Sequence, residues 1–102
     1  MPSVSEALQH LDRELARARQ AGCGVVKLVH GYGSSGAGGE IRIAAQRRLT
    51  EMAGRGEIRA CIFGENWAKS DEKAWSLINA RPELKQDHDL GRRNLGITIV
   101  VL

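Results

Sequence analysis

The 102-residue sequence predicts a single α/β domain, an α+β two-layer sandwich with elements in the order αβαβ…β. Three observations predict it. Residues 3–21 repeat apolar side chains at three- and four-residue steps, the mark of an amphipathic helix. Two short runs, 24–29 and 97–102, are dense in Val and Ile, which suit strands. Between the first run and the next helical pattern lies a loop, residues 30–39, that holds five of the chain's twelve glycines.

In chain order, the first helix opens on a capping box. Ser3 and Glu6 have the S-x-x-E spacing in which each side chain satisfies the other's backbone N–H. Val4, Ala7, Leu8, Leu11, Leu15 and Ala18 form its apolar stripe, and Gly22 ends it. The run GVVKLV, 24–29, is almost continuously apolar, as in a strand covered on both faces. A second helix is expected over 40–53, with Ile41, Ala44, Ala45, Leu49 and Met52 buried. Residues 57–63, EIRACIF, alternate, so that Ile58, Ala60 and Ile62 share one face of a strand. Strand, helix, strand implies a parallel crossover.

From 64 to 95 the apolar pattern weakens, and this stretch reads as an extended connection within the one domain. Ser70-Asp71-Glu72 signals a helix start, followed by Ala74, Trp75, Leu77 and Ile78. The final run, ITIVVL, is strongly β-branched and is expected at the centre of the sheet.

The bulk composition narrows the function classes. A hydrophobic fraction of 42% supports a folded core, and only four aromatic residues make that core aliphatic. Fifteen Lys and Arg against twelve Asp and Glu give a formal charge of +3, compatible with a nucleic-acid partner. All but Lys27, Lys69, Lys73 and Lys85 of those cations are Arg, whose planar fork matches phosphate oxygens, although a GC-rich genome produces the same bias. Cys23 and Cys61 lack metal-type spacing and read as reduced, packed residues. No apolar run is long enough to span a membrane, and no leader pattern stands at the N-terminus. A cytoplasmic location with no membrane partner is therefore expected.

The chemistry concentrates between Val25 and Arg42. A strand that runs through a glycine-dense loop into a helix presents unpartnered backbone N–H groups, and the helix dipole adds positive charge there. Such a place binds phosphate or carboxylate. The candidate phosphate ligands are Gly31, Gly33, Ser34, Ser35, Gly36, Gly38 and Gly39, with Arg42 as a clamp. His30, where strand gives way to loop, is the candidate catalytic residue, as the one obvious general acid or base of this stretch. Arg92 and Arg93, just before the last strand, are further phosphate candidates, against a reading as a solvated turn.

Other motifs are weaker. Gly31, Gly33 and Gly36 spell G-x-G-x-x-G, yet Glu65, the acid after the next strand, lies further along than a dinucleotide site places it. A P-loop is excluded because Ala37-Gly38 stand where Lys and Ser/Thr belong. Trp67 and Trp75 read as packing residues before base-stacking ones. Asp87, His88 and Asp89 have metal-ligating types, without the spacing that would support a metal site. No metal ligand is assigned.

HGYGSSGAGGEIR, followed by a helix, GRGEIRACIFGEN and the closing NLGITIVVL, resembles the Smr (small MutS-related) domain, also found at the C-terminus of MutS-like proteins. His30, Gly31 and Gly33 match the family's HGxGxG-type loop, Ile41-Arg42 its helix start, and Gly96 to Leu102 its last strand. The resemblance implies a fold like the C-terminal domain of translation initiation factor 3, with a mixed sheet and the C-terminal strand internal. The family's first strand and its Leu-Asp-x-His motif have no counterpart here. The resemblance implies a DNA- or RNA-binding module; two alternatives are an endonuclease, needing a divalent metal, that nicks DNA or cleaves RNA, and an interaction module that dimerises through the sheet edge left by the missing strand.

Overall fold

The structure, a computed structural model, describes residues 3–31 and 39–102. Its elements are α1 (Val4–Gln20), β1 (Val25–Val29), α2 (Glu40–Gly54), β2 (Ala60–Phe63), α3 (Glu72–Ala80) and β3 (Ile97–Val101), with 3-10 turns at Gly64–Asn66 and Pro82–Gln86. The order αβαβ…β holds, and the helix start expected at Ser70-Asp71-Glu72 opens α3 within the connection.

Ser3 caps α1 as its sequence requires: its hydroxyl accepts from the Glu6 N–H, and the Glu6 carboxylate accepts from the Ser3 N–H. Leu11, Leu15 and Ala18 are the buried positions of the stripe. Asp71 caps α3 through the Ala74 N–H.

The strands lie in the order β1-β3-β2, with β3 antiparallel to both neighbours. The C-terminal strand is thus central. β1 and β2 run parallel to each other, but β3 lies between them, so the crossover through α2 is a split one and every bonded pair is antiparallel. The mixed character of the sheet survives only in this relation between its two edges.

Alternation sorts the side chains into two cores. Val26, Leu28, Cys61 and Val100 meet Leu11 and Leu15 of α1 and Ala45, Leu49 and Met52 of α2. These helices and the sheet are the two layers. On the opposite face Val25, Ile62, Ile97 and Ile99 meet Trp67, Ala74, Ile78, Leu84 and Leu90. The 64–95 connection therefore folds across the sheet and covers its second face.

Residues 57–59 depart from the expected strand. β2 starts only at Ala60, and Ile58 packs with the α1/α2 core while Ile62 packs on the other face. The turn after α2 leaves the chain at Glu57–Arg59 outside the pleat, so the simple alternation of Ile58 with Ile62 fails.

Candidate phosphate site at the sheet end

Because β3 is antiparallel to both neighbours, its start lies beside the ends of β1 and β2. One end of the sheet therefore collects His30 after β1, Glu65 after β2, the N-terminus of α2, and the turn carrying Arg92 and Arg93 before β3. His30 lies level with Gly96, to which its backbone is bonded, and Glu65 sits in the 3-10 turn just past the Phe63–Thr98 pair.

His30 is fixed at three points. Its backbone N–H donates to the Gly96 carbonyl at 3.0 Å. Its Nδ1 is 2.7 Å from the Gly31 carbonyl and its Nε2 is 2.9 Å from Oγ1 of the buried Thr98. A carbonyl only accepts, so in the neutral ring Nδ1–H donates to Gly31, and Nε2 accepts the Thr98 hydroxyl proton. Burial pushes the imidazole below its ordinary pKa. The carbonyls of Gly31 and Ile97 and the Glu65 carboxylate pull it back only in part, and Arg42 adds to the lowering. The neutral form is thus favoured near pH 7.

α2 begins at Gly39 with φ 78°, a left-handed conformation that glycine adopts without strain, and among the described residues no side chain caps this helix start. One turn in, Arg42 and Gln46 share a face and form a ring with Glu65. Arg42 Nη1 donates to Gln46 Oε1 and to Glu65 Oε2, both at 3.4 Å. Gln46 Nε2 donates to both Glu65 oxygens, at 3.1 and 3.3 Å. Glu65 is held from below as well. A Cβ on Gly64 would lie 1.7 Å from the Asn94 carbonyl oxygen, so only glycine permits this close approach.

The Arg92-Arg93 turn is tied down by a polar network on the far face of the sheet. Lys27 Nζ bonds Asp87 Oδ1 at 2.8 Å and Asp89 Oδ2 at 2.7 Å. Asp87 also accepts from the indole N–H of the fully buried Trp67 at 2.9 Å. Asp89 accepts from the Asn94 amide, whose oxygen accepts from the Gly96 N–H. Burial alone would lower the Lys27 pKa, but its two aspartate bonds raise it overall. Asp87 is desolvated, yet Lys27 and Trp67 hold its carboxyl below the usual range; Lys27 and then Asn94 do the same for Asp89. Asp87, His88 and Asp89 do cluster within 4.8 Å, but the two aspartates already hold a cation, the Lys27 ammonium.

The structure thus brings His30, Gly31, Gly39 and Arg42 to one sheet end, and Arg92 and Arg93 lie in the turn that leads into β3. Arg92 and Arg93 are exposed, and Arg93 has the left-handed φ of 54°. Gly33, Ser34, Ser35, Gly36 and Gly38 lie outside the described residues. Sequence reasoning passed over Gln46 and Thr98, and weighed Glu65 only for a dinucleotide. Gln46 had a usable signal, its i+4 spacing from Arg42; Thr98 had none. Trp67 is buried packing, as expected, whereas Trp75 is 42% exposed. Cys23 and Cys61 are both free thiols, but Cys23 is exposed and not packed as expected, and Cys61 is only partly buried. No helix among the described residues is long and apolar enough to cross a membrane. Compared with protein-family models, with curated proteins and with solved structures, the chain matches none.

Proposed function

We propose that this chain is an Smr-like nucleic-acid-binding module that holds a backbone phosphate where β1 runs into α2. What supports this reading is that Arg42, in the first turn of α2, stands beside Glu65 at the end of the sheet where the segment carrying the exposed Arg92 and Arg93 enters β3. Arg42 supplies the directional clamp, the helix start supplies N–H donors, and the exposed pair extends the positive surface along a strand. His30 serves recognition in this reading. Its Nε2 already accepts the Thr98 proton, so cleavage of a DNA or RNA strand would require that bond to break first.

Fluorescence anisotropy over a salt series tests the proposal. The affinity should fall linearly on log–log axes, and Arg92→Ala with Arg93→Ala should flatten the slope by about 1–2 units. Affinity that ignores salt, or a slope untouched by the double substitution, contradicts it.

A second reading has one observation in its favour. β1 is an edge strand among the described residues, and its Val29 is 72% exposed. A protein strand or a second copy of the chain could add there. Light scattering across a concentration series would reveal a homodimer as a rise in mass, and a constant monomer mass counts against self-pairing.

A further inference from the structure

We infer that Glu65 makes the phosphate site select strands that carry a hydroxyl beside the phosphate, so that it favours RNA over DNA. The inference rests on the phosphate reading above and names the substrate class for that same site. A carboxylate is an unexpected neighbour for a phosphate clamp, yet Glu65 is built in firmly. Arg42 and Gln46 hold both of its oxygens, and the Gly64 backbone beneath it is locked against Asn94. It cannot swing away without breaking that ring.

Glu65 is still 32% exposed at its side chain. A carboxylate offers about four lone-pair sites and no donor. Arg42 Nη1 and Gln46 Nε2 are its donors among the described residues, so part of its accepting capacity faces outward. A strand lying on Arg42 meets this acceptor within the reach of one sugar. A deoxyribose brings no donor there, and the carboxylate faces the phosphate with its water removed. A ribose brings the 2′-hydroxyl, a donor next to every backbone phosphate and independent of sequence. Base amino groups lie further from the phosphate and occur only in some bases. The hydroxyl is therefore the donor that matches Glu65 along any strand.

The test compares three oligonucleotides of one sequence, as single-stranded RNA, 2′-O-methyl RNA and DNA, in anisotropy titrations at fixed salt. The full chain should bind RNA roughly tenfold tighter than DNA, a difference of about 1.4 kcal/mol. The 2′-O-methyl strand, which keeps the ribose but loses the donor, should bind like DNA. Glu65→Ala should bring the RNA-to-DNA ratio close to one, mainly by weakening RNA. Glu65→Gln keeps an acceptor oxygen and should restore part of the preference, which a general loss of fold would not do. Equal affinity of the native chain for RNA and DNA overturns the inference. So does tight binding of 2′-O-methyl RNA, or a Glu65→Ala gain of the same factor for both strands. Absence of salt-dependent binding to any of the three overturns the phosphate reading and this inference together.

Discussion

Replacing Asp87 by Ala should loosen the connection that covers the sheet, because that carboxylate joins Lys27 and Trp67 from distant parts of the chain. Trp67 is fully buried, and its indole N–H has Asp87 as partner at 2.9 Å. A buried donor left without an acceptor costs about 1–3 kcal/mol. Lys27 would lose one of two carboxylates. A hydrogen bond to a charged group contributes about 1.5–3 kcal/mol, but Asp89 remains and solvent reaches Lys27, so about 1 kcal/mol is lost there. The expected total is about 2–4 kcal/mol, from a domain whose whole stability is on the order of 5–15 kcal/mol. Urea unfolding measures it as a fall of roughly 1–2 M in midpoint.

The same substitution should change the acid limb of stability. Asp87 and Asp89 have carboxyl pKa values below the ordinary range in the fold. Their contribution is complete above the unfolded value near 3.9 and is lost as pH falls through the lowered folded values. Asp87→Ala should therefore unfold with a shallower slope below about pH 4. A loss under about 0.5 kcal/mol at pH 7, well short of the cost of one stranded donor, together with an unchanged acid limb, would refute the network as the anchor.

Two further outcomes follow from the sheet end. Gly64→Ala should destabilise by at least about 1–3 kcal/mol, because the new methyl would overlap the Asn94 carbonyl; an unchanged thermal midpoint contradicts the close packing. His30 should titrate below the ordinary histidine value by NMR, and since its lowered pKa means that the unfolded chain binds more protons, stability should rise with pH up to about 6.5; titration at or above 6.5 counts against its burial.

What the sequence disclosed was mostly local. The Ser3–Glu6 box and the α2 stripe act within a few residues, so the helix starts could be read directly. The density of β-branched residues in ITIVVL placed β3 at the sheet centre. Arg42 was visible as a cation in the first turn of a helix. Its partner Glu65 was not, because that ion pair spans 23 positions and depends on a strand lying between two others. Lys27 illustrates the same limit more sharply. In the run GVVKLV it is a lone charge among apolar residues, and its aspartates stand 60 and 62 positions away. Nothing local could show that the polar 82–95 segment folds over the sheet to neutralise it. The 64–95 stretch looked like a loose connection because its apolar anchors, Trp67, Ile78, Leu84 and Leu90, are spaced without a single period.

The proposal that the sheet end beside α2 holds a backbone phosphate has one direct test, a two-dimensional amide NMR titration of the full chain, first with inorganic phosphate and then with a short single-stranded oligonucleotide. Shifts should concentrate at His30, Gly31 and Gly39 to Ile43, extend to Arg92 and Arg93 with the oligonucleotide, and weaken on Arg42→Ala. Shifts centred instead at the opposite sheet end, around Gly24 and Ala60, or none with either ligand, would contradict it.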